Sequence, residues 1–204
     1  MILIGICGGT ASGKTTLSNK ISEYLKNLNY SVNDISLDNY YKDLSSISFK
    51  ERCNVNFDSP ESIDIELFYQ HLCVLKKGEN VNIPIYSYKL HNRTKKTKLV
   101  AISNFLIIEG LFIFHEEKLR RCFDLKIFLD VDYKTRFNRR LRRDIIERGR
   151  NKDEVENRFK STIDVMHYKY VDKTKEYADV ILKSNDNFEI IEQALNSFMN
   201  EFEK

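Results

Sequence analysis

The sequence predicts an α/β fold in which helices cover both faces of a parallel sheet, and three observations indicate it. Five short apolar runs containing β-branched residues are typical of buried strands. Segments with apolar residues at helical spacing separate these runs, which is the pattern of strands joined by crossover helices. A glycine-rich loop joins the first run to the first helical segment. The chain therefore opens in the order strand, loop, helix.

The remaining elements follow the same alternation. The predicted strands cover the residues before the glycine-rich loop and the ranges 32–37, 105–108, 125–129 and 178–182. The helix after the loop carries an apolar stripe made of Leu17, Ile21, Leu25 and Leu28. Further helices are predicted over 61–77, 133–148, 152–175 and 187–202.

One segment departs from this alternation. Residues from about 79 to 100 alternate apolar and polar side chains around Pro84 and end in a basic run, which favours an inserted antiparallel β-hairpin with a solvated tip. The chain has no internal repeat and no linker rich in Pro, Gly or Ser. We therefore predict a single domain over residues 1–204 that contains this hairpin.

The composition excludes several classes of protein. Apolar residues make up 42% of the 204 residues, which is too much core material for a disordered chain. A net charge of +3 gives no general attraction to nucleic acid or to a membrane surface, and we expect neither as a partner. No apolar run approaches the length of a transmembrane helix, and the first residues lack the basic region of a secretion signal. The four cysteines have no zinc-site spacing. We expect a cytoplasmic protein.

The glycine-rich loop matches the phosphate-binding motif G-x-x-x-x-G-K-[ST] at every position. It consists of Gly8, Gly9, Thr10, Ala11, Ser12, Gly13, Lys14 and Thr15, and Thr16 follows it. Glycines let backbone N–H groups approach phosphate oxygens, and the helix N-terminus adds a favourable dipole. We expect Lys14 to bridge the outer phosphates of a nucleotide and the Thr15 hydroxyl to bind Mg²⁺. A glycine turn with a solvated lysine is the alternative.

Two carboxylates stand where predicted strands end. Glu109 follows the apolar run 105–108, and Asp38 follows the second strand. Ligands of open α/β sheets bind at the carboxyl ends of the strands. Glu109 is therefore a candidate for holding Mg²⁺ through water, and Asp38 for accepting the proton of an attacking hydroxyl and helping to hold the metal. The alternatives are an exposed acid for Glu109 and a turn-capping acid for Asp38.

An arginine-rich helix is predicted next to these groups. Arg136, Arg140 and Arg143 form one stripe of the helix, and we expect the neighbouring stripe to pack on the core, namely Phe137, Leu141 and Ile145. Arg148 and Arg150 flank a glycine that indicates a helix end or a joint. Because forked guanidinium groups suit phosphate oxygens, the segment from about 140 to 160 is predicted to be a mobile lid over the nucleotide. A solvated face with salt bridges is the alternative.

Taken together, the motifs resemble the uridine kinase (uridine–cytidine kinase) family of P-loop kinases. Besides the phosphate-binding loop, the resemblance rests on DNYYK (38–42), NFDSP (56–60), IPIY (83–86), HNR (91–93), IEG (108–110) and RRLRRDIIERGR (139–150). It covers nearly the whole chain. It implies a P-loop kinase fold, pyrimidine salvage by transfer of phosphate from ATP or GTP with Mg²⁺ to the 5′-hydroxyl of uridine or cytidine, and a homotetramer.

The resemblance also implies roles for single residues. It makes Asp38 the acid–base residue that faces the ribose 5′-hydroxyl. Four side chains would hold the nucleoside, two at the ribose hydroxyls and two at the base, namely Asp58, Arg140, Tyr86 and His91. Three arginines would attend the phosphates, namely Arg143, Arg148 and Arg150. From the residues alone, packing roles for Tyr86 and Tyr88 and an exposed loop position for His91 stay open.

The chain departs from the family pattern at two positions. Many members carry His where Ser59 stands and Asp where Ser87 stands. Both positions are expected near the nucleoside pocket, so these departures concern substrate preference. His71, His115 and His167 lack metal-ligand spacing and are interpreted as structural.

Two other functions stay open at this point. One is another small-molecule kinase of the same superfamily, of the phosphoribulokinase, pantothenate kinase or nicotinamide riboside kinase type. The other is a nucleotide-dependent binding module, in which the hairpin and Asp38 would have no purpose.

Overall fold

Seven strands are present in a computed structural model that describes residues 1–202, so residues 203 and 204 of the predicted domain lie outside it. The strands are β1 (Ile2–Gly8), β2 (Val32–Ser36), β3 (Val81–Ser87), β4 (Asn92–Val100), β5 (Phe105–Glu109), β6 (Leu125–Asp130) and β7 (Val180–Lys183). Five of them form a parallel sheet in the order β2-β5-β1-β6-β7. The five predicted strands and their parallel pairing are confirmed.

The helices follow the predicted alternation. They are α1 (Lys14–Asn27), α2 (Phe49–Cys53), α3 (Ile65–Lys76), α4 (Glu117–Arg120), α5 (Tyr133–Ile146), α6 (Lys152–Arg158), α7 (Asp164–Met166) and α8 (Glu189–Phe202). The chain stays helical from α6 to residue 177 through π-type turns at Phe159–Ile163 and His167–Val171. The two short helices α2 and α4 were not predicted, because four or five residues are too few to display a periodic pattern. None of the helices within the described residues is long and apolar enough to cross a membrane.

Two apolar cores lie on opposite faces of the sheet. On one face, alternate side chains of β1, β5 and β6 pack against α1 and α8, and Ile21, Leu25, Ile191 and Leu195 are buried there. On the other face, α3 buries Phe68, Leu72 and Leu75 against the sheet and the hairpin. Burial of such side chains is worth about 1.5–3 kcal/mol each. Helices therefore cover both faces, as predicted.

The predicted hairpin forms from β3 and β4, which pair antiparallel. It is attached to the loop that follows β2 by hydrogen bonds from two neighbouring residues. The side chain of Asn92 accepts from the backbone N–H of Leu44 at 2.7 Å. Arg93 donates to the carbonyls of Tyr41 at 2.6 Å and Tyr40 at 3.1 Å. The hairpin is thereby held beside the carboxyl end of β2.

Helix α5 presents a different face to the protein from the one predicted. Arg136, Arg140 and Asp144 are buried on the inner side of the helix. Ile145 is 37% exposed and Ile146 is 69% exposed. Phe137 of the predicted apolar stripe packs against the buried ring of Phe159, so the expectation that this stripe packs on the core holds at one end of the helix and is wrong at the other. The polar stripe turns inward because its charges pair with one another and with the phosphate-binding loop, so their burial is compensated.

The attachment of the hairpin makes a prediction about stability. Arg93→Met should lower the free energy of unfolding by about 2–4 kcal/mol, because it leaves the carbonyl of Tyr41 without its donor and takes the charged partner from the carboxylate of Asp64. Urea denaturation measures this change. Lys98→Met is the control, because Lys98 lies on the same hairpin in an exposed ion pair and should change stability by less than about 0.5 kcal/mol. Equal losses of stability in both variants would show that Arg93 does not hold the hairpin in place.

Candidate nucleotide and acceptor site

A single cavity at the carboxyl ends of β1, β2 and β5 brings together most of the predicted site residues. Twelve of them line it, namely Thr10, Lys14, Thr15, Asp38, Asp58, Tyr86, His91, Glu109, Arg140, Arg143, Arg148 and Arg150. The other residues of the loop form its turn, and three of them, Ser12, Gly13 and Thr16, line a second cavity on the opposite side of the loop. Residues up to 140 positions apart in the sequence, Thr10 and Arg150, therefore meet in one place.

The conformation of the loop depends on glycine at two positions. Gly13 has φ of 103° directly before α1, in the left-handed region that favours glycine. Gly9 lies against the inner side of α5, where a Cβ atom would stand 2.8 Å from Cδ of Arg136 and 3.0 Å from Cε1 of His167. His167, which was interpreted as structural, thus packs directly on the loop. Burial lowers the pKa of His167 to about 4, so this support is neutral at pH 7.

Lys14 is buried beneath the loop. Its ammonium group donates to the carbonyls of Gly8 at 3.1 Å and Gly9 at 3.0 Å. Burial lowers the pKa of Lys14, and the carboxylates of Glu109 and Asp38 oppose this shift. The cation is therefore held at the bottom of the cavity, directly beside the two acids.

The order of the sheet places Glu109 between the loop and Asp38. Strand β5 lies between β1 and β2, and Glu109 is in register with Ile6 of β1 and with Ser36 of β2. Burial raises the pKa of Glu109, Lys14 opposes the shift, and the charge of Asp38 adds to it. Two acids and one buried lysine thus share the end of three adjacent strands.

The residues at this point fit a hard cation such as Mg²⁺. The Thr15 hydroxyl donates to Oε1 of Glu109 at 3.5 Å, so two oxygen ligands already face one another. A buried carboxylate whose pKa is raised gains from a nearby cation. Mg²⁺ usually takes one or two protein oxygens and completes its shell with phosphates and waters. Within the described residues, no group of three or more His, Cys, Asp or Glu is placed to hold a metal.

Asp144 organises the arginine side chains of the site. Its carboxylate accepts from Nε of Arg140 at 2.7 Å and from Nε of Arg143 at 3.3 Å, and it lies 3.3 Å from Nη1 of Arg148. Burial opposes ionisation, but the three guanidinium groups hold the pKa of Asp144 below its usual range. The backbone N–H of Arg150 donates to the carbonyl of Asp144, which closes the turn that ends α5. The motif analysis did not identify Asp144 as a site residue.

Arg140 connects the phosphate-binding loop to the segment 56–60. It donates to the Thr10 hydroxyl at 2.5 Å, and its Nη1 lies 3.7 Å from the buried carboxylate of Asp58. Asp58 is 7% exposed, and its backbone N–H donates to the side-chain oxygen of Asn56 at 3.1 Å, which fixes the turn of this segment. The guanidinium therefore spans the space between the phosphate-binding loop and the segment 56–60.

The far end of the cavity is aromatic. The ring of Phe57 stacks on His91 with centroids 5.5 Å apart and planes at 23°, and Tyr41 and Tyr86 pack beside it. Burial, together with the charges of nearby arginines, lowers the pKa of His91, so its imidazole is neutral at pH 7. A neutral imidazole offers one donor and one acceptor. Tyr86 packs against Tyr41 and Phe57 and also lines the cavity, so its packing does not exclude a role in binding.

Tyr88 reaches from the hairpin to the acid at the end of β2. Its hydroxyl donates to Oδ2 of Asp38 at 2.6 Å, and the guanidinium of Arg148 lies 4.5 Å from the centre of its ring. Desolvation of the hydroxyl and the charge of Asp38 raise the pKa of Tyr88. Sequence reasoning treated Tyr88 only as a packing residue, because it lies in the turn directly after β3 and its partner Asp38 is 50 residues away in the sequence.

Other residues of the cavity also escaped the sequence analysis. They are Tyr41, Phe57, Leu111 and Arg158. Tyr41 lies in the segment DNYYK and Phe57 in the segment NFDSP, but neither was singled out there as a site residue. The two departures, Ser59 and Ser87, adjoin lining residues but do not line the cavity themselves. The Ser87 hydroxyl instead accepts from the backbone N–H of Leu90 in the hairpin turn.

Comparisons with known proteins identify the family of this chain. The chain matches the sequence model of the Phosphoribulokinase / Uridine kinase family over residues 3–190. It is 42% identical over 181 residues to the uridine kinase of Clostridium novyi (strain NT), covering 89% of this chain and 86% of that protein. It is 41% identical over 202 residues to the uridine kinase of Borreliella burgdorferi (strain ZS7), covering 99% and 96%. Its fold is similar to that of the phosphoribulokinase from Rhodobacter spheroides, with a TM-score of 0.66 at 13% identity over 89% of this chain and 69% of that one.

The charge cluster around Asp144 makes a prediction about pH. At pH 7, Asp144→Asn should lower the free energy of unfolding by about 2–4 kcal/mol, because three guanidinium groups lose a buried partner. The folded-state pKa of Asp144 lies below its ordinary value of 3.8. The stabilisation is therefore complete above that value and is lost as the pH falls through the folded-state pKa.

Urea denaturation of wild type and Asp144→Asn at pH 7 and at several values below 4 tests this pH dependence. The difference between wild type and variant should shrink towards low pH. Glu147→Gln, an exposed acid of the same segment, is the control and should stay within about 0.5 kcal/mol of wild type. A difference that is independent of pH would show that the charge of Asp144 is not what stabilises the cluster.

Proposed function

We infer that this chain, which belongs to the phosphoribulokinase/uridine kinase family and is a uridine kinase-type P-loop kinase, transfers the terminal phosphoryl group of ATP or GTP to the 5′-hydroxyl of uridine and cytidine. The observation that carries the proposal is the shared cavity. Its lining combines Lys14 of the phosphate-binding loop, the arginine cluster, Asp38 and the aromatic group. Donor phosphates and an acceptor nucleoside would thus meet at one carboxylate.

The donor nucleotide would lie across the phosphate-binding loop. Its phosphates would meet the backbone N–H groups at the start of α1 and the ammonium of Lys14. The second cavity, on the opposite side of the loop, has apolar walls from Leu129, Val131 and Phe188 and is the place we propose for the base. Arg139 lies at this cavity and donates to the carbonyl of Ser12 at 3.2 Å. None of these contacts separates ATP from GTP.

The nucleoside would bind with its ribose beside Asp58 and Arg140. Vicinal hydroxyls can donate to the carboxylate and accept from the guanidinium, and this pair lies next to the loop where the phosphates end. The base would lie against Phe57 and Tyr86, with the neutral imidazole of His91 within reach of its polar edge. This orientation directs the 5′-hydroxyl towards Asp38.

Asp38 would accept the proton of the 5′-hydroxyl as its oxygen bonds to the γ-phosphorus and the bond to the leaving nucleoside diphosphate breaks. Lys14, Arg143, Arg148 and Arg150 would balance the charge on the transferred group. Thr15, Asp38 and Glu109 would hold Mg²⁺, which neutralises phosphate charge when it is bound. Most of the catalysis would thus come from positioning and electrostatics.

A substrate panel tests the proposal directly. Purified protein is given ATP and Mg²⁺ with uridine, cytidine, ribulose 5-phosphate, pantothenate or nicotinamide riboside, and ADP release and product mass are measured. We expect release that depends on uridine or cytidine, with UMP or CMP as the product. A phosphorylated product from another acceptor would assign the chain to another kinase activity. Slow hydrolysis that no acceptor stimulates would indicate a binding module.

Asp38→Asn should lower kcat by more than about 100-fold, because the amide cannot accept the proton. Nucleotide binding should stay within a few-fold of wild type, since the loop is unchanged. Steady-state kinetics and titration with a fluorescent ATP analogue measure the two effects. Asp34→Asn is the matched control, because Asp34 is an exposed acid on the strand that precedes Asp38. Near-normal turnover of Asp38→Asn would remove Asp38 from the mechanism.

His91→Ala should raise KM for the nucleoside by about 10-fold or more and KM for ATP by less than about 2-fold. The imidazole stacks on Phe57 in the aromatic group, where the base is proposed to lie. KM values for both substrates at saturating partner measure the split. His115→Ala is the control, because His115 is a partly exposed histidine outside the cavity. Equal increases for nucleoside and ATP would argue against base recognition by His91.

A further inference from the structure

We propose that Tyr88 makes the enzyme select the nucleoside over water, because its hydroxyl occupies the proton-accepting oxygen of Asp38 until a nucleoside displaces it. The proposal rests on the phosphoryl-transfer function proposed above. It adds a role for a tyrosine that lies in the site without holding the phosphates or the ribose.

A base that can activate a ribose hydroxyl can also activate water. If water reacted, its oxygen would bond to the γ-phosphorus, its proton would pass to Asp38, and the bond to the bridging oxygen would break to release ADP and phosphate. Such hydrolysis wastes the nucleotide. Asp38 is only half-buried, so solvent is close to it. While no nucleoside is bound, hydrolysis is therefore restrained only if another group occupies this carboxylate.

Tyr88 has the geometry for this role. Its hydroxyl is 2.6 Å from Oδ2 of Asp38, and a carboxylate can only accept in that bond. The ring is held from one side by the guanidinium of Arg148, at 4.5 Å, and from the other by the edge contact with Tyr86, at 5.3 Å. Arg148 is itself tied to Asp144. The arginine cluster around Asp144 therefore also orients the Tyr88 hydroxyl towards Asp38.

Displacement of the hydroxyl requires binding energy that water lacks. A nucleoside gains contacts with Asp58, Arg140 and the aromatic end of the cavity, and this gain can offset the loss of the bond between Tyr88 and Asp38. Water makes none of these contacts. The result is a preference for the larger acceptor that is set by one hydroxyl group.

Tyr88→Phe removes the hydroxyl and keeps the ring over which Arg148 lies. We expect phosphate release from ATP and Mg²⁺ without nucleoside to rise at least about 5-fold, while nucleoside-dependent transfer stays within about 3-fold of wild type. The double variant Tyr88→Phe with Asp38→Asn should lose the extra hydrolysis. Tyr177→Phe is the matched control, because Tyr177 is another exposed tyrosine stacked with an arginine, Arg120 at 4.0 Å, and lies outside the cavity.

Several outcomes would overturn the proposal. Unchanged hydrolysis in a Tyr88→Phe protein that still transfers phosphate would do so, as would an equal rise in Tyr177→Phe or extra hydrolysis that survives loss of Asp38. Should Tyr88→Phe fail to fold, Tyr88→Leu gives the same comparison. If wild type phosphorylates no acceptor in the panel, the proposed function fails, but the rates of hydrolysis still decide whether Tyr88 restrains Asp38.

Discussion

The buried carboxylate of Asp144 decides where the positive charge of this site lies. Three guanidinium groups next to one another would repel each other and would cost much free energy to bury. Asp144 compensates them from the inner side of α5, so that Arg140 and Arg148 can stand beside the loop and the hairpin at once. This pairing accounts for the inward turn of the polar stripe and for the placement of the arginines around the end of α5.

The order of the sheet imposes the second constraint. Because β5 lies between β1 and β2, the acid that ends β5 separates the phosphate-binding loop from Asp38. The buried Lys14 faces both acids and lowers the cost of placing them together. The hairpin then covers this edge, and Arg93 ties it to the chain that carries Asp38. The phosphate-binding loop, Asp38 and the hairpin meet because the strand order and this tie act together.

Much of the fold and of the site could be predicted from local patterns. The strands, the long helices and the hairpin follow from apolar periodicity, and the loop follows from a motif whose chemistry demands those residues. The error on α5 has a physical cause. A prediction from periodicity places apolar side chains inward. It fails where charged side chains are buried because they compensate one another, as Arg136 and Asp164 do. Tyr88 was undervalued for a similar reason, since its partner Asp38 is 50 residues away.

The sequence by itself determined the α/β alternation, the phosphate-binding loop and the residue types available for phosphoryl transfer, because these depend on interactions between residues close together in the chain. Only the tertiary structure decided which of them act together. Strand order placed Glu109 beside Asp38, the fold of α5 joined Arg140 to Asp58, and the docked hairpin brought Tyr88 to the same carboxylate. Such pairs depend on distances across the sheet, and spacing along the chain carries no information about them.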